Sequence, residues 1–203
     1  MIMHIVLNHI KICKLKEMNW RIIVFVVSLV VITSLGRVFA PIPNFTPLGA
    51  VALLGGAIFT RKWMAFFVPI LALWLSNLFL NNLIYQASYD GFVLFGDSFL
   101  SVAVCMILIA IIGRKFVKPG SVKSLLGSAI AASLMFYLVT NFAVWMSGTM
   151  YPTSFFGLLL SYFAGLPFLL NSILGDLFYS LVLFGASYYV FGLQPSLSSS
   201  NKL

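Results

Sequence analysis

The segment Tyr151–Gly185, YPTSFFGLLLSYFAGLPFLLNSILGDLFYSLVLFG, decides the fold class of this chain. It is almost wholly apolar, yet it holds one carboxylate, Asp176, with no basic residue near it in sequence. A charged side chain at the centre of a membrane helix costs about 2.5–3.5 kcal/mol on insertion scales, so it usually faces a bundle interior or a cavity and has a partner. The segment therefore predicts membrane insertion, with a binding or packing role for Asp176.

The composition of the whole chain extends this prediction. Of its 203 residues, 62% are hydrophobic and 8% are charged, and the mean hydropathy is +1.08. Soluble domains carry about 25% charged residues, so this chain could not cover its apolar surface in water. A membrane helix needs about 20 residues. We therefore predict an all-α integral membrane protein, a bundle of about six transmembrane helices in the lipid bilayer.

The net charge of +8 comes from basic residues that flank the apolar segments. This is the positive-inside pattern of a membrane protein, and it argues against nucleic-acid binding. With six spans, every cluster falls on one side, which predicts that both termini are cytoplasmic and that the protein lies in the bacterial cytoplasmic (inner) membrane. The clusters are Lys11, Lys14, Lys16 and Arg21; Arg61 and Lys62; Arg114, Lys115, Lys118 and Lys123; and Lys202.

Proline and polar residues divide the chain into predicted segments. Because proline interrupts helical hydrogen bonding, Pro167 is expected to divide the last apolar stretch into a partly inserted helix, 155–166, and a final span, 168–192. The earlier helices are predicted at 20–39, 47–59, 63–84, 98–112 and 124–145. Residues 1–19 are expected to form a basic cytoplasmic tail, 20–192 the transmembrane domain, and 193–203 a polar cytoplasmic tail.

The start of the chain allows two interpretations. Met18 precedes the first strong apolar run and is an alternative initiator to Met1. A cleaved signal peptide is not favoured, because the run continues to Gly36 and ends in Arg37 and prolines rather than in a small-residue cleavage site.

Polar and aromatic residues form stripes at helical spacing within three predicted spans. With the predicted orientation, the stripes lie in the outer parts of the membrane and would line a pocket open to the outside. Amides, one acid and flat rings are typical of a small-molecule site. The predicted substrate-binding residues are Arg37, Asn44, Trp74, Asn77, Asn81, Tyr137, Asn141, Trp145, Ser172 and Asp176.

Each of these residues also has a structural interpretation. Asparagine and serine in membrane helices often only hydrogen-bond a neighbouring helix, with each bond worth roughly 0.6 kcal/mol. Aromatic residues such as Trp145 are often interfacial anchors. Asp176 could instead form a buried ion pair with Arg37 that fixes the packing of the last helix on the first.

Other features narrow the class of protein. Ala52 and Gly56 form a small-xxx-small pair, which allows another helix to approach closely. The predicted spans hold no histidine, and the chain has no GxSxG, HExxH or GxxxxGK[ST] motif, so we expect no enzymatic activity, no metal and no cofactor. Cys13 and Cys105 are too far apart for a metal motif.

The segments Asn44–Phe59, NFTPLGAVALLGGAIF, and Tyr151–Gly185 resemble an uncharacterised bacterial family described as candidate membrane transport proteins. The resemblance covers roughly residues 20–192. That family is in turn similar in size and hydropathy to the S components of energy-coupling factor (ECF) transporters, which bind vitamins or other micronutrients near the outer face. This resemblance implies coupling to a transmembrane T component and two ATPase subunits.

S components dock on the T component through small residues at AxxxA spacing on their first helix. The first predicted helix here has no such pair, which departs from the S-component pattern. The small residues lie instead on the second predicted helix, and Ala52 and Gly56 are the predicted docking pair. A stand-alone ion- or proton-coupled carrier, with Asp176 as the protonatable group, is the alternative function. A membrane scaffold or assembly protein without a ligand is a third.

Overall fold

A computed structural model describes residues 20–40, 42–59, 61–118 and 120–191 of the chain. The predicted tails 1–19 and 193–203 lie outside these residues. The described part is helical and contains no β-strand. Its six helices are α1 (Trp20–Val38), α2 (Leu48–Ile58), α3 (Lys62–Phe79), α4 (Phe99–Phe116), α5 (Val122–Ser147) and α6 (Phe155–Phe191).

The apolar surface of the bundle confirms the prediction of a membrane protein in its general form. Four helices are long and apolar enough to cross a membrane: α3 with its extension to Ile84, α4, α5 and α6. The α1 and α2 helices are shorter apolar segments by the same measure. Large side chains such as Val27, Phe163 and Leu170 lie exposed on the outside of the bundle. An apolar surface of this size is unfavourable in water, so lipid tails would cover it.

The α2 helix lies at the centre of the bundle and contacts each of the other five helices. Leu53 and Leu54 on this helix are fully buried. With 11 residues it is about 16 Å long, roughly half the thickness of the hydrocarbon core. A helix this short cannot span the hydrocarbon core alone.

Glycines allow α2 and α4 to pack with their backbones in contact. A Cβ atom on Gly56 would overlap the carbonyl of Ala110, and one on Gly113 would overlap the carbonyl of Leu53. This is the close approach that small residues permit in membrane helix pairs. The small residues of α2 therefore serve the internal packing of the bundle.

The predicted break at Pro167 is wrong. The structure has one continuous helix, α6, of 37 residues, with Pro167 inside it. A helix of this length measures about 55 Å, well beyond the roughly 30 Å of the hydrocarbon core. Proline is tolerated within membrane helices because neighbouring helices and local adjustments satisfy the freed backbone groups. The partly inserted helix and the last span are thus two parts of a single element.

The end of α3 departs from regular helix geometry. Residues Leu80–Ile84 form a π-helical turn, followed by a short 3₁₀ turn at Gln86–Ser88. Asn82 ties the following loop to this turn, because its Nδ2 donates to the carbonyl of Val93 at 2.8 Å and its Oδ1 accepts from the Val93 amide at 2.7 Å. A π-helical turn shifts the register of the side chains that follow it.

Candidate functional site

A cavity of about 410 Å³ lies at the N-terminal end of α2. Every helix except α3 contributes to its walls, together with the α1–α2 loop and the π-helical turn after α3. Its lining residues are Arg37, Ala40, Pro43, Asn44, Thr46, Leu48, Gly49, Leu80, Tyr85, Ser98, Val102, Met106, Ile109, Phe136, Ser172 and Asp176. The cavity is in the size range of small-molecule sites and combines an apolar wall with a few polar groups.

Asp176 is held against the first turn of α2. Its side chain is buried, with 7% exposed, and its Oδ2 accepts a hydrogen bond of 2.7 Å from the Ser133 hydroxyl on α5. The backbone amide of Ala50 also hydrogen-bonds the carboxyl group. The first four N–H groups of a helix have no partner within the helix, and the helix dipole favours negative charge there. Asp176 therefore caps α2 from another helix.

Gly49 makes this contact feasible. A Cβ atom at this position would overlap Asp176 Oδ1 and lie 2.9 Å from Asp176 Cγ. Any side chain here would push the carboxyl group away from the helix terminus. The close approach of Asp176 to α2 thus depends on glycine at position 49.

The opposite end of α2 has a complementary charge. Arg114 on α4 donates through Nη1 to the carbonyl of Phe59, the residue that follows the helix, at 3.2 Å. Cations near a helix C-terminus and anions near its N-terminus are each worth typically about 0.3–1 kcal/mol. The two charges at the ends of α2 therefore both stabilise this buried helix.

Arg37 lies in the last turn of α1 and is anchored to α3. Its Nη1 donates to Asn77 Oδ1 at 2.9 Å, to the carbonyl of Leu73 at 3.3 Å, and to the Ser76 hydroxyl. The Ser76 hydroxyl donates in turn to backbone carbonyls of α3, so its oxygen is free to accept from Arg37. Every one of these acceptors is electrically neutral.

The loop between α1 and α2 forms one wall of the cavity. Asn44 adopts a left-handed backbone conformation with φ 63°, which asparagine tolerates better than most residues. The loop is held on α6 because Asn171 Nδ2 donates to the carbonyl of Pro43 at 3.0 Å. The Phe45 ring packs on Tyr179 with centroids 5.5 Å apart. Gly175 gives the loop room, since a Cβ there would lie 3.1 Å from Phe45 Cα.

The structure brings together four of the ten predicted site residues. Arg37, Asn44, Ser172 and Asp176 all line the cavity. Asn77 lies beside it, because its side-chain oxygen holds Arg37. The alternative interpretation of Asp176, an ion pair with Arg37, is not formed in the structure, where the two side chains have different hydrogen-bond partners.

Three other predicted residues lie between α5 and α6 and do not line this cavity. The Tyr137 hydroxyl donates to the carbonyl of Tyr162 at 2.7 Å, and Trp145 Nε1 donates to the carbonyl of Ser154 at 3.0 Å. Asn141 packs against Gly165, where a Cβ would lie 2.7 Å from its Nδ2. In the structure Tyr137 links α5 to α6, Trp145 links α5 to the residue that precedes α6, and Asn141 packs on α6 while its Nδ2 donates to the carbonyl of Tyr137 in its own helix.

The two remaining predicted residues lie on α3 and its π-helical extension. Trp74 and Asn81 are not among the cavity-lining residues. The indole nitrogen of Trp74 and the amide nitrogen of Asn81 are buried without a hydrogen-bond partner in the described part of the chain. The polar side chains predicted to share one face of this helix are divided, because Asn77 meets Arg37 whereas Asn81 packs beside Gly96. Tyr85, which follows the π-helical turn, lines the cavity.

The predicted docking pair lies inside the bundle. Ala52 has no exposed surface, and Gly56 is buried against the backbone of Ala110. The structure thus fills this small-residue face with the protein's own α4. An external helix would have to meet other residues.

A family model described as a family of unknown function, DUF6580, matches residues 16–197. The chain belongs to this family. No curated protein and no solved structure gives a significant match. Membership agrees with the predicted resemblance to an uncharacterised family, and the match adds no link to ECF S components.

Several cavity residues of this DUF6580 chain were not predicted as site residues. Val102, Met106, Ile109 and Phe136 form an apolar wall. No sequence signal separates them from apolar residues that face lipid, because both kinds occur in the same helices. Gly49 is different, since it follows a proline-rich loop at the start of a helix, where close backbone approach is common.

Proposed function

We propose that this protein is the substrate-binding membrane subunit of an importer for a small vitamin-like or other micronutrient molecule. The observation that carries the proposal is the cavity at the N-terminus of α2, where Arg37 and Asp176 lie on the walls without pairing with each other. Charged side chains within membrane helices are costly, and they generally mark a ligand or ion pathway unless they neutralise each other.

The half-length α2 helix supports a transport role. Many transporters place the ends of interrupted helices near the membrane midplane, where the helix dipole helps to form the binding site. Here α2 is about half as long as the hydrocarbon core is thick, and its N-terminus opens on the cavity.

The charge pattern gives the proposed orientation. Arg61 and Lys62 follow the C-terminus of α2, and Arg114 contacts the carbonyl of Phe59 at this end, opposite the cavity. The positive-inside rule assigns such basic segments to the cytoplasm. The cavity would then open to the outside of a bacterial inner membrane, with both termini cytoplasmic. A site on this side suits capture of a nutrient from outside the cell.

The partners are proposed by resemblance and by chemistry. The chain has no phosphate-binding GxxxxGK[ST] loop, so ATP-driven uptake would need separate ATPase subunits. In ECF transporters a T component connects such subunits to the S component. Since Ala52 and Gly56 are internal, we expect docking through exposed apolar faces of the bundle instead.

Identification of a co-purifying small molecule tests the proposal. The protein would be purified from its native membrane in mild detergent, and bound molecules would be identified by native mass spectrometry. We expect one soluble organic molecule at close to one per chain, and a rise in melting temperature when it is added back. An empty protein, with no melting shift against a panel of vitamins and nucleobases, would contradict the proposal.

A stand-alone carrier is the second candidate function, and the position of Asp176 favours it. A buried carboxyl group on a cavity wall can take up and release a proton during transport. Purified protein in liposomes would then accumulate the identified molecule when a proton gradient is imposed, and Asp176→Asn would abolish that accumulation. Uptake only in the presence of ATPase partners would favour the importer subunit.

A further inference from the structure

The charge of Arg37 has no counter-ion among the described residues. Its three acceptors are a carbonyl, a hydroxyl and an amide oxygen, on Leu73, Ser76 and Asn77. Guanidinium has five N–H donors in a planar fork, and all of these hydrogen bonds use Nη1. The fork therefore retains donors beyond those that anchor it to α3.

Asp176 is not available as that counter-ion. Its carboxyl group is held by Ser133 and by the backbone amide of Ala50, at the positive end of the α2 dipole. The absence of a side chain on Gly49 leaves room for the carboxyl group at this helix terminus. The negative charge of Asp176 is thus held at a helix N-terminus by Ser133 and Ala50. Arg37 lies at the C-terminal end of α1, where the helix dipole favours a cation, but its side chain has no charged partner among the described residues.

The rest of the cavity wall adds no anion. Apart from Arg37 and Asp176, its lining residues are uncharged, and the apolar ones include Val102, Met106 and Phe136. Arg37 is half-buried and has no charged partner on the cavity wall, and a guanidinium fork matches a carboxylate or phosphate in a bidentate arrangement. The chemistry of the wall therefore fits a ligand with an anionic group and an apolar body.

We infer that the cavity binds a small organic anion, whose carboxylate or phosphate pairs with Arg37 while Asp176 stays on the N-terminus of α2. The inference rests on the proposed function, since it specifies the ligand of the same cavity. It assigns the two charged residues different roles: Arg37 contacts the ligand, and Asp176 positions the helix that closes the cavity.

Matched acids and amides test this assignment on the full-length purified protein. The probes are benzoate with benzamide, nicotinate with nicotinamide, and whichever molecule co-purifies, measured by melting shift and by isothermal titration. We expect the acid of a bound pair to bind about tenfold or more tightly than its amide. Arg37→Gln should remove this preference, and Asp176→Asn should retain it even if overall affinity falls.

Two further variants distinguish loss of the ligand contact from loss of folding. Arg37→Lys keeps the positive charge and should keep part of the acid preference, which should weaken as sodium chloride is raised. Gly127→Ala, on an open surface of α5, should behave as the wild type. Equal affinity for acid and amide, a neutral or cationic co-purified molecule, or an unchanged preference in Arg37→Gln would overturn the inference while leaving the proposed function intact.

The phosphate group of a lipid could also pair with the Arg37 guanidinium, so lipid binding is tested in a separate experiment. Native mass spectrometry after delipidation, followed by addition of phosphatidylglycerol or of phosphatidylcholine, separates a lipid headgroup from a soluble anion. Selective retention of phosphatidylglycerol through Arg37, with no soluble molecule bound, would support the anion site and overturn nutrient import. No binding of any probe would overturn both.

Discussion

Arg37 and Asp176 lie on the walls of one cavity, yet their side chains do not form an ion pair. Arg37 is anchored to α3 through Asn77 and its neighbours, and Asp176 is anchored to Ser133 and the first turn of α2. Two opposite charges in a low-dielectric interior attract strongly, so they would normally be expected to meet. The two charged groups therefore both line the cavity while each is bound to its own neighbours.

Gly49→Ala should destabilise the protein because the added methyl group overlaps Asp176 Oδ1. Overpacking of this kind typically costs about 1–3 kcal/mol, and displacement of the carboxyl group also removes the cap of α2. Differential scanning fluorimetry in mild detergent would show the lower melting temperature.

Gly127→Ala is the matched control, since a Cβ there meets nothing within 4 Å. Alanine is favoured over glycine within helices by about 1 kcal/mol, so this variant should melt at the same or a higher temperature. Equal melting temperatures for the two variants would show that Asp176 does not pack on Gly49.

Gly56→Ala and Gly113→Ala should each destabilise the isolated chain. In both cases the new methyl group would overlap a backbone carbonyl across the α2–α4 contact, so relief requires the helices to move apart. We expect losses of about 3 kcal/mol, near the upper end for overpacking. If Gly56 instead faced a partner subunit, Gly56→Ala would leave the melting temperature of the isolated chain unchanged and weaken only the complex.

The helical fold was predictable from hydropathy, and five of the predicted segments match α1 to α5 closely. The continuity of α6 was not predictable, because proline breaks helices in water but is tolerated in a packed membrane bundle. The sequence does not show which neighbours cover Pro167. The sequence also did not indicate that α2, with only 11 residues, contacts every other helix.

The candidate site was predictable only in part. Arg37 and Asp176 stand out because charges are rare in apolar segments, and both line the cavity. Tyr137 and Asn141 have the same helical spacing as a binding stripe, but they hydrogen-bond α6 or their own helix. Spacing shows which residues share a helix face, whereas the choice between ligand and neighbouring helix depends on tertiary packing.

Asp176→Asn should lower stability less than Asp176→Ala. Asparagine keeps an oxygen that can accept from Ser133 or the Ala50 amide but loses the charge that the α2 dipole favours. Loss of a helix cap typically costs about 1 kcal/mol, and alanine also leaves a void beside Gly49. Melting temperatures should therefore fall in the order wild type, Asn, Ala; equal values for all three would exclude a capping role.

Cysteine accessibility tests the proposed orientation. Thr149→Cys lies on the exposed loop after α5, and Lys118→Cys lies in the exposed basic turn before it. In a Cys13→Ser background, with the buried Cys105 retained, a membrane-impermeant maleimide should label position 149 in intact cells. It should label position 118 only after the membrane is opened. The reverse pattern would place the cavity on the cytoplasmic side.

An experimental density map of the protein purified from native membranes tests the central claim most directly. The account predicts non-protein density in the cavity at the N-terminus of α2, in contact with the Arg37 guanidinium, with the Asp176 carboxyl group seated between Ser133 and Ala50. A closed cavity in which Arg37 and Asp176 form a direct ion pair would contradict it.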